Sequence, residues 1–136
     1  MRRLVAAALL ALAVAAAGLA PATPAAAGHG WSGSWLKVTI GAPTTPGPSD
    51  RTEPIVGWLT CDPAGGTHPF AAEACAELAA TGGDIAAIGS TGGCGGVFQP
   101  VEITAWGRWQ GQPVWYAETV DNDGCARISH GHVFRL

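Results

Sequence analysis

The stretch Ile55-Val56-Gly57-Trp58-Leu59-Thr60-Cys61-Asp62-Pro63-Ala64-Gly65-Gly66-Thr67-His68-Pro69-Phe70, continued by Ala71–Ala80 and closed by Gly82-Gly83, changes its period once and carries two cysteines. Residues 55–61 form an apolar, strand-like run that ends on Cys61, and Asp62 to Gly66 has the composition of a turn. Pro69 suits a first helical position, and Phe70 to Ala80 is rich in Ala, Glu and Leu with no breaker before Gly82-Gly83. At helical spacing Ala71, Ala74, Cys75 and Leu78 share one face, which turns Cys75 toward the strand that carries Cys61. A strand followed by a helix that packs back on it, in a chain whose other strands follow one another without helices of comparable length, makes the expected class α+β.

Upstream, Ser34 to Ile40 alternates, with Leu36, Val38 and Ile40 on one face and Trp35, Lys37 and Thr39 on the other. Gly41 to Pro54 holds Pro43, Pro46, Pro48 and Pro54 and reads as a loop between two strands. Downstream, Asp84 to Ile88 suits one helical turn capped by Asp84. Val101 to Trp109 and Pro113 to Val120 alternate around Trp109-Gln110-Gly111-Gln112 and predict a β-hairpin. Asp121-Asn122-Asp123-Gly124 ends it, and His132 to Leu136 is predicted to be a last short edge strand. The expected domain has five strands in an antiparallel sheet, one main helix and one short helix.

The N-terminus reads as a secretory signal peptide over residues 1–27: Met1-Arg2-Arg3, the apolar run Leu4–Leu19, then Ala25-Ala26-Ala27 before Gly28. The run is Ala-rich and too weakly apolar for a stable membrane span. Residues 28–34 are then a flexible arm and 35–136 one domain with a modest core. Without the leader, five basic residues (Lys37, Arg51, Arg108, Arg127 and Arg135) face 10 acidic ones, which gives nucleic-acid phosphate no electrostatic partner. An exported chain with 4 cysteines points to two disulfides, for which three pairings are open. A bridge closing a loop of ~15 residues stabilises by roughly 3 kcal/mol. A zinc site lacks any Cys-x-x-Cys spacing.

Between the helical turn and the hairpin lies Gly92-Gly93-Cys94-Gly95-Gly96-Val97-Phe98-Gln99-Pro100, a glycine-rich run with one half-cystine, closed by an aromatic residue and a proline. It reads as an extended surface loop tethered at Cys94 and fixed at Pro100.

Several motifs in one order carry a resemblance. Thr60-Cys61-Asp62-Pro63, Gly66-Thr67-His68-Pro69, Ala74-Cys75, Leu78, Gly82-Gly83-Asp84, Cys94, Pro100-Val101, Gly107-x-Trp109-Gln110-Gly111, Cys125, His130-Gly131 and Val133-Phe134 occur in register, so residues 35–136 resemble the Streptomyces subtilisin inhibitor family. The resemblance implies the pairing Cys61–Cys75 and Cys94–Cys125, a sheet-to-sheet homodimer, and inhibition of secreted subtilisin-like serine proteases by a substrate-like loop that is cleaved only slowly. It implies neither cofactor nor enzymatic activity. The scissile bond falls two residues after the third cysteine, between Gly96 and Val97, within an inhibitory loop of Cys94, Gly95, Phe98, Gln99 and Pro100. Family members present a large side chain at the position of Gly96 and often a constraining residue at that of Gly95. Glycine at both predicts weaker inhibition than the family norm, and Gln99 is also atypical.

Other constellations carry less. His130 and His132 would share a strand face and could meet a metal, but no third ligand is in local reach. A terminus at Ala27-Gly28-His29 could bind copper(II). His68 with Ser90 or Ser129 and Asp62 or Asp84 lies in no nucleophile motif. The 6 tryptophans (31, 35, 58, 106, 109 and 115) suit either a carbohydrate platform or, with Trp109 in the hairpin turn, the core and a dimer interface covered by Trp58, Trp115 or Tyr116. The alternative to an inhibitor is a secreted, non-inhibitory binding module on the same scaffold.

Overall fold

The computed structural model describes residues 33–43 and 53–136. The leader, the arm up to residue 32 with Trp31, the Ala27-Gly28-His29 candidate for copper(II), and the prolines at 46 and 48 lie outside the described residues.

Five described strands form one antiparallel sheet: β1 (Ser34–Gly41), β2 (Ile55–Cys61), β3 (Gly65–Gly66), β4 (Val101–Trp109) and β5 (Gln112–Val120), in the order β3-β2-β1-β4-β5. The alternation read from the sequence is the burial pattern: Leu36, Val38 and Ile40 of β1, Leu59 and Cys61 of β2, and Val101, Ile103 and Ala105 of β4 all point into the core. Helix α1 (Ala71–Ala80) lies against this face through Ala74 and Leu78, and disulfide Cys61–Cys75 joins it to the end of β2. A short 3-10 turn, Ile85–Ala87, is capped by Asp84, whose side chain accepts the Ala86 N–H at 3.1 Å. Helix α2 (Asp123–Ala126) follows β5. Among the described residues, no helix is long and apolar enough to cross a membrane.

Two expectations are corrected here. The segment 132–136 is not a strand. Its backbone closes local turns, Val133 N–H to His130 O at 3.1 Å and Arg135 N–H to His132 O at 3.0 Å, so no ladder forms. Val133 and Phe134 are nonetheless fully buried, and the apolar pattern taken for a strand face is a core plug. The fifth strand is instead Gly65–Gly66, placed in a turn by its composition, which pairs with Leu59 and Thr60 at the edge of β2. The second correction concerns the uncovered sheet face. Trp58, Lys37, Trp106 and Trp115 stand opposite one another across four strands, with Trp35 beside them, whereas Tyr116 is one residue on and so faces the other way. Tyr116 reaches the core side, where its hydroxyl donates to Glu118 Oε2 at 2.6 Å and lies 2.7 Å from His130 Nε2. Burial and the Glu118 carboxylate raise its pKa above the ordinary phenol value.

Trp109 is buried at the end of β4, and its ring lies against Gly83. That contact depends on how α1 ends. Gly83 N–H donates to Leu78 O at 2.8 Å and Gly82 N–H to Ala79 O at 3.3 Å, the double bond of a Schellman cap. Both glycines have positive φ, +65° and +90°, but a Cβ on Gly82 would meet nothing whereas one on Gly83 would fall on the Trp109 ring. Gly82→Ala should therefore cost about 1 kcal/mol of unfolding free energy, and Gly83→Ala about 1–3 kcal/mol more. Urea melts of the two variants check the difference.

His68 is buried and satisfied on both nitrogens, for Nδ1 accepts the Phe70 N–H at 3.1 Å and Nε2–H donates to Val133 O at 3.0 Å. Burial lowers its pKa from 6.5. A protonated ring would also set an N–H of its own against the Phe70 N–H. The unfolded chain therefore binds a proton near pH 6.5 that the folded chain refuses, so His68's contribution is full above that value and falls as the pH drops below it. The thermal midpoint should decline from pH 7.5 to 5, and His68→Gln, though less stable throughout, should show a flatter decline.

Candidate functional site

Residues 89–100 contain no regular structure and cross the surface between the 3-10 turn and β4. The sequence explains this locally: glycines at 89, 92, 93, 95 and 96 leave no pattern to pack, and Val97 and Phe98 are 72% and 66% exposed. Such a loop keeps one shape only if it is held from outside.

The holding segment is Asp121–Ile128. Thr91 N–H donates to Ile128 O at 2.9 Å, Cys94 is bonded to Cys125 with Cα atoms 5.1 Å apart, and Gln99 N–H donates to Asp121 O at 2.9 Å. Between these ties the Asn122 side chain works in both directions. Its Oδ1 accepts the Cys125 N–H at 2.9 Å and so caps α2, while its Nδ2 donates to Gly95 O at 3.2 Å and to Val97 O at 3.1 Å. One amide thus grips the carbonyls on either side of Gly96. In the sequence Asn122 is legible only as part of the run that ends β5. The available signal was an Asn three residues before a half-cystine, the spacing of an N-cap next to the cysteine that tethers the loop.

The structure brings together Cys94, Gly95, Gly96, Val97, Phe98, Gln99 and Pro100 in this one loop, with Pro100 leading into β4. Gly96 has φ +111°, so its backbone uses a conformation that L side chains rarely adopt. Both disulfides have the sequential pairing, and no cysteine is free.

The remaining candidates do not assemble. His130 and His132 sit on a turn and serve different neighbours. His130 Nδ1–H donates to Ile88 O at 3.1 Å and its Nε2 lies 2.7 Å from Glu118, while His132 Nδ1–H donates to Glu77 Oε1 at 2.7 Å. The His130 contact lowers the Glu118 pKa below the ordinary carboxylate value. His68 meets backbone groups rather than Ser90 or Ser129. Among the described residues the one close cluster of metal-ligand types is Cys94, Asp121 and Cys125, whose two sulfurs are bonded to each other and offer no thiolate.

A small disulfide-stapled sheet that presents one externally braced loop defines a class of scaffold in which the loop is the exposed product of the fold. The subtilisin inhibitor-like family profile matches residues 32–122, and the chain belongs to that family. It is 40% identical over 118 residues to trypsin inhibitor STI2 of Streptomyces longisporus, covering 84% of this chain and 80% of that one. It is 46% identical over 76 residues to the subtilisin inhibitor of Streptomyces albogriseolus, covering 54% and 52% of the two chains. Among solved structures it is similar to Streptomyces caespitosus sermetstatin, crystallised in complex with Bacillus licheniformis subtilisin, with a TM-score of 0.53 and 29% identity over 71% of this chain and 91% of that one. The family is one of protease inhibitors rather than enzymes.

Asn122→Ala removes the helix cap and both loop bonds together. It should cost about 1–2 kcal/mol of stability, and, as the more specific readout, loop cleavage by added subtilisin should accelerate at least tenfold. Asp123→Ala, which leaves these three bonds in place, serves as the control. Mass spectrometry of timed digests measures both.

Proposed function

We propose that this chain is a secreted inhibitor of subtilisin-like serine proteases that offers the bond Gly96–Val97 within the loop Cys94–Pro100. The observation that carries the proposal is the Asn122 amide bonded to the carbonyls of both Gly95 and Val97, beside the Cys94–Cys125 bridge. A serine nucleophile that attacks the Gly96 carbonyl breaks the C–N bond, passes its proton to the departing Val97 amine and is left as an ester of Gly96, the acyl-enzyme. In a free peptide that amine diffuses away. Here Val97 stays attached to Asn122 and, through Gln99, to Asp121, while the acyl side stays attached through Cys94. The amine therefore remains placed to attack the acyl-enzyme, re-form the peptide bond and return the serine hydroxyl, and this return outpaces hydrolysis. Bracing before binding also reduces the ordering that the complex must impose.

The reading extends to a homodimer. Trp58, Trp106 and Trp115 are 43%, 39% and 74% exposed on the sheet face opposite α1, and a second copy of the same face would cover them. The Trp35 ring centroid lies 5.4 Å from that of Trp106 and 6.1 Å from that of Trp58, so the rings form a self-packed layer suited to pairing rather than separate platforms for sugars.

Titration of subtilisin with the oxidised protein should give a linear loss of activity to a stoichiometric end point, with the intact 96–97 bond dominating in the complex. Progressive loop cleavage without inhibition would instead identify a non-inhibitory binding module. Light scattering at micromolar concentration should report a dimer, and Trp106→Glu should shift it to monomer.

A further inference from the structure

The two sides of the proposed reactive bond differ in what they offer a partner. From Gly92 to Gly96 the only side chain is that of Cys94, and its sulfur is committed to Cys125. This side presents main chain alone. Beyond the bond, Val97 and Phe98 place two apolar side chains in solvent, 72% and 66% exposed, and neither belongs to the core. No charged residue occurs from Gly89 to Pro100.

We infer, on the reading that Gly96–Val97 is the reactive bond, that Val97 and Phe98 determine affinity and specificity, and that the partner is a serine protease whose primary pocket is shallow or filled and whose leaving-group side is an open apolar surface. Three observations carry this. Gly96 has no side chain, and its φ of +111° is one that a side chain would disfavour, so the loop as folded is built around that absence. An open, deep pocket would remain empty of protein against this loop, and a pocket with a carboxylate at its base would keep that charge unpaired on binding. Val97 and Phe98, in contrast, have carbon surface to bury, and full burial of each corresponds to roughly 10- to 100-fold in affinity. Their backbone is already positioned, since Val97 O is held by Asn122 and Gln99 N–H by Asp121, so both side chains are displayed from a fixed main chain.

The test measures inhibition constants against three enzymes: subtilisin, the same subtilisin with its primary pocket filled by a larger residue, and trypsin. For the intact protein, filling the pocket should leave inhibition unchanged within threefold or tighten it, and trypsin should be inhibited at least 100-fold more weakly than subtilisin. Phe98→Ala should weaken inhibition of both subtilisins at least tenfold, while circular dichroism and the dimer remain unaltered. Weakening of more than tenfold on filling the pocket, trypsin inhibited as tightly as subtilisin, or a Phe98→Ala effect below threefold would each overturn the inference while leaving the inhibitor reading in place. Absence of inhibition of every enzyme, with steady cleavage of the loop, would overturn both. Stable complexes whose slowly cut bond is not 96–97 would overturn the residue assignment but retain inhibition.

Discussion

The tie between Asn122, Cys125 and the loop is the constraint from which the surface of this protein follows. A run with glycine at 92, 93, 95 and 96 has more backbone freedom to lose than almost any other sequence of its length, and no buried side chain of its own to offset that loss. The compensation comes from the chain beyond β5. One disulfide, the Asn122 amide and two main-chain bonds from 91 and 99 fix the loop at points on both sides of Gly96. Because the same Asn122 caps α2 and α2 carries Cys125, the brace and the tether are one rigid unit.

That unit is itself positioned by the core. Cys125 and Ala126 are buried under the sheet, and β5, which leads into them, pairs with β4 over its whole length, from Val101 opposite Val120 to Trp109 opposite Gln112. The first residue of β4 follows Pro100, the last residue of the loop. A hairpin therefore brings both ends of the functional region to one edge of the domain, and the register of the hairpin sets the distance that Asn122 must span. The interior of the domain and its exposed loop are thus parts of one arrangement, in which a slip of β4 against β5 would release the loop as well as expose the core.

The covered and uncovered faces of the sheet show how much can be read from alternation. From Leu36 to Ile40 in β1 and from Val101 to Ala105 in β4 every second residue is apolar and buried, and Leu36, Val38, Ile40, Ile103 and Ala105 are legible as core from sequence alone. Alternation has no information about what covers the other face. Trp58 and Trp115 face away from the core, whereas Tyr116, adjacent to Trp115 in β5, has the opposite parity and makes its hydrogen bonds to Glu118 and His130 on the helix side.

The sequence by itself determined the local elements whose causes are local: the alternating strands, the helix ended by Gly82-Gly83, the Asp84-capped turn, and a loop that could not pack. Through its family motifs it also carried the pairing of the cysteines. What only the tertiary structure decided are the features that depend on distant segments meeting. Val133 and Phe134 have strand-like composition, yet they fill the core from a turn because β2 pairs at its free edge with Gly65–Gly66 and because His132 is drawn to Glu77 of α1 and Gly131 to Gly89. Asn122 has the composition of a turn, yet it braces a loop some 25 residues away because the hairpin returns it there. The physical reason is the same in both cases. Propensity and period are sums over neighbours in the chain, whereas the partner of an unsatisfied backbone carbonyl or an unburied side chain is set by whatever the fold brings within hydrogen-bonding or van der Waals distance.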